Sequence, residues 1–379
     1  MSRGKARQDS SAEAPAHPRQ TAELLGQQEA EQRLLRAYQS GRLPHAWLLT
    51  GPRGIGKATL AYRFARFLLS RDEAAAAGPA LFETAPTESL PDGLALAPDH
   101  PVFRRVAAQS HADLLSIERR ARDDGKLKRD IDVESIRHLN SFLHMTAAEG
   151  GWRVGIVDTA DEMNVNAANA LLKVLEEPPA NAVLLLVSHA PGRLLPTIRS
   201  RCRRLALKPL EGATVLALLE RELPEADPGQ RLLLARLGEG SIGRALELAE
   251  EGGADLYEGL LTVLADAPRL DPVTSHAFAE SVARDASGRR LRTLSDLLLW
   301  WLGRLIQTAA RGQENEALVP QEEGLAQRLL ARGTLAQWLT LWENLERLFS
   351  QAERASLDRK QVVLTALDRL AAVTAARAV

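Results

Sequence analysis

The run Gly51-Pro52-Arg53-Gly54-Ile55-Gly56-Lys57 has the G-x-x-x-x-G-K spacing of a phosphate-binding loop. Each residue type in it meets a need of that chemistry. Glycines let the backbone turn tightly and aim N–H groups at phosphate oxygens, and the positive end of a following helix adds attraction. Lys57 can reach the outer phosphates of a nucleoside triphosphate. The next residue departs from the pattern: Ser or Thr is needed there to bind Mg²⁺, and the chain has Ala58. Thr59 follows, but on a helix it projects about 100° further round and does not replace the missing hydroxyl.

A second acidic motif lies further on. Val154-Gly155-Ile156-Val157-Asp158 is an apolar strand ending in a carboxylate, the place where a nucleotide-hydrolysing P-loop protein holds Mg²⁺. The alternative for Asp158 is a plain strand-end cap. A competent ATPase of this kind has Glu next, to orient the attacking water; here Thr159, Ala160 and Asp161 follow, with Asp161 not placed to do so by anything in the sequence. Both departures leave nucleotide binding open and predict weak or absent hydrolysis. ATP is the expected ligand, and Mg²⁺ enters only with it.

These residues need elements to hold them. The apolar run 46–50 suits a buried strand, and 58–69 follows as a helix with Leu60, Phe64, Phe67 and Leu68 as its stripe. Helical spacing also covers 22–40, 133–144, 167–175 and 194–199, and Pro178-Pro179 stops the third of these. Strands are predicted at 114–117, 153–157, 182–187 and 203–208. The segment 72–101, with its alanine run and scattered prolines, reads as an irregular insertion with room for short helices. The alternation predicts a parallel sheet with helices on both faces. After Pro209 the strand signals disappear. Helices at 213–222, 230–237 and 242–251 form a small lid-like bundle, and long helices follow from 275. Leu294, Leu297, Leu298, Trp301, Leu302 and Leu305 mark one long stripe; Leu335, Trp338, Leu341, Trp342, Leu345 and Phe349 mark another. The expected layout is a disordered tail at 1–17, an α/β domain at 18–209, a helical lid at 210–255 and an all-α domain at 270–379.

Composition narrows the function classes. At 379 residues, the chain has room for roughly two to three domains. Lys and Arg number 48 against 49 Asp and Glu, which argues against a freely sticking nucleic-acid binder but leaves room for a local basic face. The only cysteine, Cys202, excludes an internal disulfide framework and a cysteine-only zinc site. No apolar run approaches the ~18 residues of a membrane span, and the polar first 20 residues lack the core of a signal peptide. A cytoplasmic protein is expected.

Three longer stretches make the sequence recognisable. His45-Ala46-Trp47-Leu48-Leu49-Thr50-Gly51-Pro52 leads into the loop. Asn166-Ala167-Ala168-Asn169-Ala170-Leu171-Leu172-Lys173-Val174-Leu175-Glu176-Glu177-Pro178-Pro179 follows the acidic strand. Leu194-Leu195-Pro196-Thr197-Ile198-Arg199-Ser200-Arg201-Cys202 follows the next strand. The series resembles the AAA+ clamp-loader subunits of bacterial DNA polymerase III, gamma/tau and delta prime. Leu357-Asp358-Arg359-Lys360-Gln361 is similar to the C-terminal region of the delta prime branch. The resemblance is strong over residues 18–202 and weaker beyond.

That resemblance carries expectations of its own. Ala58 and Thr159 favour the delta prime branch, because gamma-type subunits hydrolyse ATP. It implies an AAA+ P-loop domain, a lid and a helical collar that joins gamma/tau and delta subunits in a ring. Sliding clamp and primed DNA are partners through that complex, and no membrane is involved. The chain counts as enzymatic through its polymerase assembly, a nucleotidyltransferase, with its own ATPase weak or absent. Arg201 is implied to be an arginine finger acting on a neighbouring subunit's ATP, and Arg244, in Gly240-Ser241-Ile242-Gly243-Arg244, to be the lid arginine that reads bound nucleotide. Arg199, Arg203 and Arg204 surround Arg201, so a DNA-facing or merely solvated basic cluster is its alternative. Many relatives carry four zinc-binding cysteines between the two nucleotide motifs; this chain has none there, and no zinc is expected. The competing functions are a hydrolysing gamma-type subunit or other P-loop motor, a small-molecule kinase, and a stand-alone DNA-binding module.

Overall fold

The first strand, β1 (Ala46–Thr50), is buried along its whole length and runs between α1 (Gln28–Gln39) and α2 (Lys57–Ala76) in the chain. In this computed structural model the described residues are 17–76, 93–119, 128, 130–312 and 316–375. Residues 1–16 of the expected 1–17 tail and the stretch 77–92 of the expected insertion lie outside them, whereas His17 is in place with its ring hydrogen-bonded to Glu118. The chain divides into two compact units. One comprises Met1–Val215 with Gly240–Gly243, the other Leu216–Glu239 with Arg244–Val379.

Beyond α2 the first unit continues with α3 (Pro101–Ala107), β2 (Leu114–Ile117), α4 (Val133–His144), β3 (Arg153–Val157), α5 (Val165–Glu176), β4 (Ala182–Ser188), α6 (Pro196–Arg201) and β5 (Arg203–Ala206). All five strands pair in parallel, in the order β2-β3-β4-β1-β5, with Leu48 opposite Leu186 and Ile156 opposite Leu185. Side chains alternate along each strand, so the sheet has two apolar faces. Trp47, Leu49, Ile156 and Leu185 pack with Leu34, Leu60, Phe64 and Phe67 from α1 and α2. Leu48, Leu184 and Leu186 pack with Ile136, Leu139, Leu171 and Ile198 from α4, α5 and α6. The sheet is thus covered on both faces, as a parallel α/β sheet requires.

The structure shortens or lengthens several predicted elements. The helix expected at 22–40 starts only at Gln28. Upstream, the backbone is held open: Gly26 has φ +77°, and a Cβ there would lie 2.6 Å from Leu210. Arg63 and Arg66 of α2 donate to the Ala22, Arg19 and Thr21 carbonyls, so these carbonyls have acceptor roles outside a helix. The helix expected to stop at 69 runs to Ala76. A short helix with no counterpart in the sequence reading, α3, opens on the last residue of the expected irregular stretch; the His100 ring accepts from Val102 N–H, Pro101 stands in its first turn, and Phe103 lies under Arg66 at 4.3 Å. The strand expected at 203–208 ends at Ala206.

Past β5 the described residues are helical: α7 (Gly212–Glu222), α8 (Pro228–Leu237), α9 (Ile242–Glu250), α10 (Gly253–Leu264), α11 (Pro272–Ala283), α12 (Arg289–Arg311), α13 (Leu325–Leu330), α14 (Leu335–Ala355) and α15 (Arg359–Ala375). In the second unit Trp301 and Trp338 are the largest fully buried side chains. Trp342 ties α14 to α12 by donating its indole N–H to Leu299 O at 3.0 Å. Apart from exposed Leu335 and half-buried Trp342, the residues of the two marked stripes are buried in their own core. Among the described residues no helix is long and apolar enough to cross a membrane.

Candidate nucleotide-binding site

In the first unit, the residue after each strand lies at the same carboxyl edge of the sheet, where parallel α/β folds place ligands: Gly51 after β1, Glu118 after β2, Asp158 after β3, His189 after β4 and Leu207 after β5. The loop after β1 takes the shape its glycines allow, with φ +145° at Gly51, +74° at Gly54 and +94° at Gly56. At Gly51 the reason is close packing, since a Cβ would fall 2.6 Å from Leu207 O. Helix α2 begins at Lys57, so its unpaired first-turn N–H groups stand at the loop. The Lys57 ammonium, buried with its side chain, donates to the carbonyls of Gly51 at 2.9 Å and of Pro52. Gln27, also buried, clamps the loop from outside by donating to Ile55 O at 3.1 Å and Lys208 O at 2.9 Å.

Charged groups converge on this loop. Burial pushes Lys57 down to about 8 despite the opposing pull of Asp158 and Asp161. Burial, then the Glu118 charge, pushes Asp158 up to about 6. Glu118 is held below the usual carboxylate range by its hydrogen bond with His17, which outweighs burial, and it accepts from Tyr62 at 3.1 Å. At Asp161 burial acts upward, but the nearby Ser188 hydroxyl and the His189 N–H, which donates at 3.0 Å, bring it below its ordinary value. His189 falls to about 4 through burial and the Lys57 charge. At neutral pH the site is a charged lysine facing ionised carboxylates, with His189 neutral.

That arrangement suits polyphosphate binding better than hydrolysis. Ala58 offers no hydroxyl to a metal ion. Thr159 sits in the left-handed region at φ +58°, and its hydroxyl donates to Asp158 O at 2.6 Å. Asp161 accepts the His189 N–H. Neither takes the place of a water-orienting glutamate.

The remaining expected residues lie elsewhere. Arg201 ends α6 on the surface, 37% exposed, and pairs with Glu176 at 2.9 Å. Arg199 and Arg203 beside it are exposed, and Arg204 donates to Thr50 Oγ1 at 3.3 Å. In the second unit Arg244 stands 3.8 Å from Glu239, and its charge also acts on Asp296. His111, Asp113 and Glu149 bring ligand-type atoms within 4.8 Å of one another. Their charges are met from within: Arg153 pairs with Asp113 at 3.2 Å, Arg105 with Glu149, and Asp113 accepts the Ala148 and Glu149 N–H groups.

Glu118, His189, Tyr62 and Gln27 escaped the sequence reading. The first two had a usable signal, since each immediately follows a strand of a parallel sheet. Tyr62 and Gln27 had none, because only the fold brings them to the loop.

Comparison with known proteins gives matching results. The family model described as "DNA polymerase III, delta subunit" matches residues 26–86 and 92–211. The chain is 40% identical over 227 residues to DNA polymerase III subunit delta' of Pseudomonas aeruginosa, covering 58% of this chain and 61% of that protein. It is 33% identical over 236 residues to subunit delta' of Escherichia coli, covering 62% and 63%. Against subunit tau of Salmonella typhimurium identity is 30% over 318 residues, covering 82% of this chain and 44% of that one. The matches thus span about three fifths of the delta' relatives' length.

Proposed function

From the chain's membership in the DNA polymerase III clamp-loader subunit family, delta prime type and close to gamma/tau, we propose that it helps load the sliding clamp onto primed DNA. Its partners in this reading are gamma/tau and delta subunits, with clamp and primed DNA met through the complex. Residues 210–255 act as a lid and 270–379 as the collar that joins the ring. Gly51 to Thr59 and Asp158 bind ATP without turning it over, and Mg²⁺ enters only with the nucleotide. Arg244 reads the bound nucleotide. Arg201 leaves Glu176 to reach the ATP of a neighbouring subunit, where a guanidinium supplied in trans is worth about 10³–10⁵ in rate. The surface pair it gives up is worth roughly 0–1 kcal/mol, so docking has little to overcome.

The observation that carries this reading is the pairing of an intact glycine loop and buried Lys57 with Ala58 and Thr159, a holding site stripped of its hydrolytic parts. A self-sufficient motor or kinase needs those parts. The test is ATP turnover by the isolated chain together with co-purification with gamma and delta subunits. Negligible turnover and stable co-purification are expected; Mg²⁺-dependent turnover at rates of ordinary enzymes would sink the proposal.

A further inference from the structure

The phosphate loop is gripped at its apex by a distant stretch of chain, Gly240–Gly243, which belongs to the same compact unit. Gly243 N–H donates to Gly54 O at 3.0 Å, and Ser241 Oγ donates to Arg53 O at 2.8 Å. The contact is backbone on backbone. A Cβ on Gly54 would lie 2.4 Å from Ser241 Oγ and 2.9 Å from Gly243 Cα; a Cβ on Gly243 would lie 2.7 Å from Gly54 Cα. Gly240, at φ +79°, is anchored in turn by its carbonyl accepting from Leu210 N–H at 2.8 Å.

The contact also closes the start of a helix. Gly243 lies in the first turn of α9, where backbone N–H groups lack an acceptor inside the helix. The loop carbonyl of Gly54 supplies that acceptor. Turning the Gly54 peptide to receive or release a phosphate therefore removes the acceptor for this first-turn amide, and displacing the helix start frees the loop. The same helix continues through Arg244 into the second unit.

We propose that Gly243 and Ser241 are positioning residues for the nucleotide: they form a backbone clasp that sets the shape of the phosphate loop, and nucleotide occupancy and clasp closure stabilise each other. Reciprocity follows from linkage, since whatever the clasp does to nucleotide affinity, the nucleotide does to the clasp. The proposal rests on the nucleotide-binding reading above and goes beyond it in naming what shapes the loop.

The experiment uses the full chain and a fluorescent ATP analogue. The wild type should bind it, and adding it should slow hydrogen exchange in the peptide spanning residues 240–246. Gly243→Ala should weaken binding about tenfold or more. Ser241→Ala should weaken it a few-fold, and Ser241→Thr, which keeps the hydroxyl, should restore it. Thermal melting without nucleotide shows whether each variant folds; should Gly243→Ala not fold, the Ser241 pair decides. Wild-type binding with unchanged exchange at 240–246, and undiminished affinity in the folded variants, overturns the clasp while leaving the nucleotide reading intact. Failure of the wild type to bind overturns that reading, and the clasp with it.

Discussion

Asp158 carries a cost that its role explains. Its carboxyl has an ordinary value of 3.8 and is raised to about 6 in the folded chain, first by burial and then by Glu118. A raised acid stabilises the fold below its unfolded value, and that contribution is lost as pH rises from about 4 through 6. His189, lowered to about 4, works the other way in the same window, losing stability as pH falls. Comparing Asp158→Asn with wild type cancels the His189 part. The variant should be the more stable at pH 8, by on the order of 1–3 kcal/mol, and lose that advantage at pH 4, as read by thermal melting. An advantage that does not change with pH would remove the electrostatic account. Ala58→Thr restores the hydroxyl and should make nucleotide binding several-fold tighter with Mg²⁺ than with EDTA, measured by titration in both. The loop and Asp158 were legible because spacing alone defines them. Tyr62 was not, because its meeting with Glu118 at 3.1 Å joins residues 56 positions apart, a distance only the fold closes.

At the scale of elements, periodicity succeeded where burial imposes it and failed where single contacts override it. The strands at 46–50, 114–117 and 153–157 are found where the apolar runs placed them, since a parallel sheet covered on both faces demands such runs. The segment 22–27 has helix-like spacing but serves as a strap, held by Arg63 at Ala22 and by the buried amide of Gln27, with Arg66 gripping Arg19 and Thr21 just upstream. The short helix α3 follows proline-rich chain and was not predicted, although its Pro101 is at a helix start rather than a break. In the long helices the tryptophans serve packing. Trp342→Phe should cost about 1 kcal/mol through loss of the indole hydrogen bond to Leu299, leaving complex formation intact; a loss of assembly at unchanged stability would move Trp342 from core to interface. Truncation before Ser275 should abolish co-purification with gamma and delta subunits, and a truncated chain that still assembles normally would refute the collar role.

For the whole molecule, the proposed role is that of a subunit that acts on another's nucleotide more than on its own. Its loop is intact, its water-orienting position is a threonine bonded to its own backbone, and Arg201 stands on the surface in a weak pair with Glu176. Because that pair is half in solvent, Arg201→Ala should leave folding and assembly unchanged. Arg201→Lys should behave nearly as poorly as alanine in catalysis, since lysine keeps the charge but loses the planar fork. If Arg199, Arg201, Arg203 and Arg204 were a DNA-binding cluster instead, the variant would lose DNA affinity, steeply with salt, and spare ATPase measured without DNA. The most direct test is therefore the ATPase rate of the reconstituted loader with clamp and no DNA. A partial fall in rate for Arg201→Ala, partial because other subunit pairs keep their own fingers, is the predicted result; a rate equal to wild type would contradict the account.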